Sequence, residues 1–160
     1  MWDFRSWTSE WAIVVAASVA NYLINERQAV GLTTNGRDPL VEGERLRSIP
    51  PRPGGGHLMK VLELLARVEA RNSERLIEWL RPATHNLPWG TTLVVITPTA
   101  NDAVYSALHG LVRMGFMVVL LVVERHVHFA SIRARARHLG FRAYPVWSED
   151  ALRLEPGRAA

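Results

Sequence analysis

The amino-acid sequence predicts an α/β protein built on an open, mostly parallel three-layer sheet with one antiparallel edge strand. Three observations carry that prediction. Residues 93–96, Leu-Val-Val-Ile, form a short apolar run with no polar break, the pattern of a strand covered on both faces. The run stops at Pro98 and passes through Thr99, Asn101 and Asp102, which are turn and N-cap residues. A helical pattern of Val104, Leu108, Leu111 and Val112 follows and ends at Gly115. Residues 116–123 are then a second, wholly apolar strand. Such a strand–helix–strand unit implies a parallel crossover, and its polar carboxyl-end loop lies where open α/β sheets carry their sites.

The other elements follow in chain order. Thr8 is placed to cap a helix with Glu10 in its first turn, running through residues 11–24 and ending near Arg27. That helix is apolar almost all round, with Ala12, Ala16, Ala17 and Ala20 permitting close packing, so it is expected to be covered by neighbours. Residues 29–34 read as a strand. Residues 46–49 read as a short strand folding back antiparallel after the Asn35-Gly36 turn. Pro50, Pro51, Pro53 and Gly54 to Gly56 argue against regular structure beyond it. Leu58, Val61, Leu62, Leu65 and Val68 mark an amphipathic helix over residues 57–71. Ser73 is placed to cap a shorter helix through Leu80, and Pro82, Pro88 and Gly90 punctuate the route to the strand at 93–96. A turn at 125–128, a helix over 129–139 and a strand over 141–146 complete the pattern. The expected domain is residues 1–150, with 151–160 a flexible tail.

Composition narrows the function classes. A chain of 160 residues, 48% hydrophobic and 21% charged, is of one-domain size and globular in character. It has no cysteine, which removes disulfides, thiol nucleophiles and Cys-type zinc sites. Eighteen of its nineteen basic residues are arginine, the exception being Lys60, and the net charge is +4. The arginines are scattered among acids, so nucleic-acid binding is a minor expectation. No signal-peptide pattern precedes Trp7, and the apolar stretch 11–24 is shorter than the ~20 residues that span a bilayer. A cytoplasmic protein with no membrane segment in this chain is expected.

The motif order also carries a resemblance. Residues 8–12 (Thr-Ser-Glu-Trp-Ala), 16–23 (Ala-Ala-Ser-Val-Ala-Asn-Tyr-Leu) and 29–32 (Ala-Val-Gly-Leu) come first. The Pro/Gly segment before His57-Leu58, the run at 62–66 (Leu-Glu-Leu-Leu-Ala) and Gly90-Thr-Thr-Leu-Val-Val-Ile-Thr-Pro follow. Together, over residues 8–150, they resemble the C-terminal region of the bacterial family called domain of unknown function 58. The resemblance implies a fold similar to the von Willebrand factor A (vWA) domain and a partner of the MoxR-type AAA+ ATPase class. It implies no established catalytic activity, and it implies membrane anchoring in full-length relatives. A vWA domain begins with a central strand bearing Asp-x-Ser-x-Ser, a metal-ion-dependent adhesion site. Residues 1–7 hold no such motif, because Asp3 and Ser6 have the wrong spacing. The resemblance therefore implies a domain shortened at its start, lacking its first strand. Trp2 and Phe4 alternate with polar residues and are candidates to fill the vacancy. Otherwise the exposed strand edges are expected to drive self-association.

Candidate chemistry is sparse. Thr97, Thr99 and Asp102 are weak candidates for the remnant of a metal or phosphate site, against a plainer role in strand exit and capping. Glu124, His126 and His128 lack an evident further ligand for zinc. The chain has neither a P-loop, nor a Gly-x-Gly-x-x-Gly turn, nor a Gly-x-Ser-x-Gly elbow. Ser18, Ser106 and Ser131 fall on helices with no His-acid arrangement. Arg133, Arg137 and Arg142 are the candidate partner-binding residues, in a cluster with Arg135 and His138. Positions 133 and 137 share a helix face, and 135 points elsewhere. The leading expectation is a non-enzymatic interaction domain with no cofactor and no metal. The alternatives are a Mg²⁺-dependent or phosphate-binding enzyme using Asp102 and Thr99, and an arginine-mediated nucleic-acid binder.

Overall fold

The computed structural model describes residues 4–41, 47–69 and 76–149. Its chain order is α1 (Phe4–Asn25), β1 (Val30–Thr34), β2 (Arg47–Arg52), α2 (Gly55–Arg67) and α3 (Leu76–Thr84). β3 (Thr92–Thr97), α4 (Asp102–Arg113), β4 (Met117–Val122), α5 (Phe129–His138) and β5 (Arg142–Pro145) follow. The α/β class and the alternation stand as expected, but the strands form two sheets rather than one. β3, β4 and β5 are parallel neighbours in that order, and β1 and β2 form a separate antiparallel pair. β3 is thus an edge of the parallel sheet, and β4 holds the middle.

Each side of the parallel sheet buries its own apolar set. Val95, Val118, Leu120 and Val122 face α3, α4 and α5, packing with Leu80, Leu108, Leu111, Phe129 and Ile132. Alternate residues of the same strands, Val94, Ile96, Val119 and Leu121, face α1 and pack with Trp11, Ala12, Val15 and Val19. This alternation is the period-2 geometry of a strand, and it explains why both strands read as unbroken apolar runs. The Trp11 indole donates to the Val146 carbonyl beyond β5, fixing α1 across the sheet.

α1 serves a second cluster with a different stripe. Ile13, Ala16, Ala17 and Ala20 pack with Val61, Leu65 and Leu58 of α2 and with Val30, Leu32 and Ile49 of the hairpin. The small residues let α1 and α2 approach closely, and the two stripes account for a helix that reads as apolar almost all round. Val14, Tyr22 and Ser18 lie on its remaining, exposed face. His57, buried at the first turn of α2, bonds through Nε2 to the Val30 carbonyl at 2.7 Å.

Several boundaries depart from expectation. Thr8 does not cap α1, which starts at Phe4; it lies inside the helix, buried, with its hydroxyl donating to Glu124 Oε1 at 3.5 Å. Helix formation from Phe4 also removes residues 4–7 from the expected filler strand, and Trp2 lies outside the described residues. β2 continues through Pro50 and Pro51: N–H direction alternates along a strand, so pairing with β1 alone among the described residues admits one of the two, and the register irregularity opposite, between Val30 and Leu32, accommodates the other. α2 begins at Gly55, so the Gly54 to Gly56 segment is a helix start rather than a loose connector, with Gly54 at a φ of 99°. α3 runs past Leu80 and through Pro82 to Thr84, whose buried hydroxyl donates to the Leu80 carbonyl at 2.9 Å. Ser73 and the tail from 151 lie outside the described residues.

Candidate functional site

Thr97 ends β3, Thr99 lies in the turn after it and Asp102 opens α4; Thr97 and Asp102 are each engaged elsewhere. The Thr97 hydroxyl donates to the Thr99 carbonyl at 3.1 Å, closing the turn after β3. Asn101 is the N-cap of α4, its side-chain oxygen accepting from Val104 N–H at 3.0 Å. Asp102 sits in the first turn, where its charge favours the helix dipole. Its side chain is 88% exposed and pairs with Arg135 Nη1 at 2.7 Å. That guanidinium also lies 4.2 Å above the Tyr105 ring. Burial pushes the Tyr105 hydroxyl above its usual range, with Arg135 opposing the shift. Asp102 therefore turns to the α4–α5 surface rather than converging with Thr97 and Thr99.

The arginines are divided in the same way. Arg133 stacks 5.5 Å from the Phe129 ring centroid, Arg135 joins Asp102 and Tyr105, and Arg137 and Arg142 are exposed. Arg135, expected to point away from the cluster, is the member with an acidic partner. Sequence spacing hides that pair, because 33 positions separate its two members. Among the described residues no three of His, Asp and Glu gather to hold a metal ion, and His126 Nε2 is buried without a hydrogen-bond partner.

A polar cleft of about 470 Å³ lies between the hairpin and α2, lined by residues including Asp38, Arg47, Lys60, Glu63 and Arg67. Asp38, 3% exposed at its side chain, accepts from Arg67 Nη2 at 3.1 Å and from Leu40 N–H at 3.1 Å. Arg67 and the Leu40 N–H hold its carboxyl below the usual carboxylate range. Nothing in the sequence pattern singles this pair out, since its members are 29 positions apart on a turn and a helix. It ties the hairpin to α2.

The feature with free capacity is the outer edge of β3. Met117 N–H donates to Thr91 O and Val123 N–H to Thr97 O, so odd-numbered positions direct their backbone groups toward β4. Backbone direction alternates along a strand, and Thr92, Val94 and Ile96 therefore direct N–H and C=O away from β4. No described residue pairs with that edge. Among the described residues β1 is likewise paired on one side only, by β2.

Comparison with known proteins finds no family model that matches this chain and no matching curated protein. Among the described residues no helix is long and apolar enough to cross a membrane.

Proposed function

We propose that the chain is a non-enzymatic, vWA-like protein-interaction domain of the domain-of-unknown-function-58 kind, working with a MoxR-type AAA+ ATPase. The observation that carries an interaction role is the edge of β3: three residues of backbone donors and acceptors, uncharged and without a partner among the described residues, on an apolar strand. Edges of this kind are templates for another polypeptide. The engagement of Asp102 by Arg135, and of Thr97 by its own turn, supports binding over chemistry at the sheet's carboxyl end. The two-sheet arrangement supports the vWA-like reading, in which β1 and β3 flank a first strand rather than each other. The exposed Arg133, Arg137 and Arg142 are assigned to contact with an acidic surface of the partner.

The test is a binding titration of the chain against a MoxR-type AAA+ ATPase from the same genome, with and without ATP. Micromolar or tighter association, about −8 kcal/mol, is expected, weakened when Arg133, Arg137 and Arg142 are together replaced by Gln. No association under either condition overturns the assigned partner. Turnover in a Mg²⁺-supplemented activity screen overturns the non-enzymatic reading.

A further inference from the structure

We infer that the amino end of the parallel sheet binds single-stranded nucleic acid, with a row of arginines along its phosphates and a base stacked on Trp89. This is a second binding activity, separate from the edge of β3, and it does not rest on the assigned ATPase partner.

The topology sorts charges that the sequence interleaves. β3, β4 and β5 are parallel, so their first residues lie at one end, with the last turns of α3, α4 and α5 that lead into them. Residues 81–92, 111–119 and 136–145 build that end. They contain Arg81, Arg113, Arg137 and Arg142 and no Asp or Glu. The acids lie at the opposite end, where Asp102 opens α4, Glu124 follows β4 and Glu149 follows β5. All four arginines are exposed, and none has an ion-pair partner among the described residues. α3, α4 and α5 pack on the same face of the sheet, and His109 Nδ1 lies 3.0 Å from the Leu139 carbonyl oxygen, tying α4 to the end of α5. Helices packed in this way are about 8–10 Å apart, so Arg81, Arg113 and Arg137 form a row about 20 Å long.

The helix dipole accounts for arginine in a last turn, but not for the apolar surface exposed among these arginines. The turn from Pro88 to Thr91 is closed by Thr91, whose N–H and hydroxyl both donate to the Pro88 carbonyl, at 3.2 and 2.6 Å. It presents Trp89 85% exposed, with the indole against Gly115, where a Cβ would collide with it. Gly115 joins α4 to β4, so the ring sits by Arg113, and the exposed Met114 and Met117 flank that glycine. An exposed indole held against backbone is a preformed stacking surface, and every base offers a π-face to it. A duplex does not fit. Its bases are already stacked on each other, and its grooves admit the length of a helix or ribbon, whereas these three helices present only their ends. A linear array of charge matches a chain of phosphates better than a plane of lipid headgroups.

The probes are a fluorescein-labelled thymidine dodecamer and the matching uridine dodecamer, titrated with the 160-residue chain by anisotropy at 50 and 200 mM KCl. Micromolar binding of one or both is expected at 50 mM, and the tighter of the two identifies the sugar preferred. Counterion release at about four phosphates gives a salt slope of about −2.8, so affinity should fall by about 50-fold between the two salts. Arg81→Gln with Arg113→Gln should halve that slope, and neither residue is assigned to the protein partner. Trp89→Ala should weaken binding about tenfold at both salts, and Trp89→Phe should restore most of the loss, because stacking needs a ring rather than the indole N–H. Arg52→Gln, on the hairpin, should have less than a twofold effect. Absence of binding to both oligonucleotides at 50 mM overturns the inference. So does an unchanged affinity in Trp89→Ala, a 12-base-pair duplex bound as tightly as the single strand, or an Arg52→Gln loss equal to that of Arg113→Gln. Trp89-dependent binding to phosphatidylglycerol vesicles without oligonucleotide binding would assign this surface to lipid and overturn it too.

Discussion

Two apolar units share α1, and Val61→Ala tests whether they open separately. Val61 is fully buried on α2, in the cluster that holds α2, the hairpin and one stripe of α1 together. The substitution removes two methyl-sized groups at ~0.8 kcal/mol each, and the cavity that remains raises the cost to about 2–3 kcal/mol. Val61 does not belong to either cluster lining the parallel sheet. If the β1–β2 and α2 unit opens on its own, the whole loss falls on its own amides. At 1.4 kcal/mol per decade, exchange at Val30–Thr34 should speed up by about 30- to 150-fold. Amides of Met117–Val122 should change by less than about threefold, because α1 remains held by Trp11, Val15 and Val19 against the sheet. Native-state hydrogen exchange at low denaturant measures both strands in one experiment. Equal acceleration in the two strands would refute the reasoning. It would mean that the two sheets unfold as one body.

Further outcomes are expected elsewhere. Asp38→Asn should lower the melting temperature at pH 6, with the difference from the parent chain shrinking as pH falls below about 4. The sign follows from a carboxyl whose folded-state value lies below its unfolded value: its contribution is present above the unfolded value and is lost as pH falls through the folded one. Thermal melts between pH 3 and 6 check it. Arg133→Gln and Arg137→Gln should each change stability by under ~0.5 kcal/mol, since both side chains are exposed, and urea unfolding of the double variant is the measurement. Mg²⁺ should bind no tighter than the millimolar range, about −4 kcal/mol, because the Asp102 carboxylate is paired with Arg135. Micromolar binding by calorimetry that disappears in Asp102→Ala would contradict this. Gly31→Ala would place a Cβ 2.7 Å from the Ile49 carbonyl oxygen and 2.9 Å from the Pro51 nitrogen. The hairpin must spread to admit it, at a cost of about 1–3 kcal/mol read from the same unfolding curves.

The sequence by itself determined the elements whose causes are local. The unbroken apolar runs at 93–96 and 116–123, the Asn101 cap and the stop at Gly115 are set by side-chain periodicity and by backbone donors within a few residues. They appear as β3, β4 and α4 with ends within a residue or two of expectation. The antiparallel return of β2 stands as expected, but not through a tight turn at Asn35-Gly36: residues 35–46 separate the two strands, and Arg37 bridges to Glu69 instead. Tertiary structure alone decided whatever depends on which element lies beside which. An apolar strand reads alike whether it has one neighbour or two, so nothing in residues 92–97 distinguishes an edge from a centre. Pro50 and Pro51 disfavour a strand in general, and the one-sided pairing of β2 together with the register irregularity opposite them admits both. The partners of Asp102 and Asp38 come from α5 and α2, and ion pairs across 33 and 29 positions leave no periodic trace. The two stripes of α1 were visible as one apolar helix. Which sheet each stripe would cover was settled by packing, because burial is a property of neighbours rather than of the residues themselves.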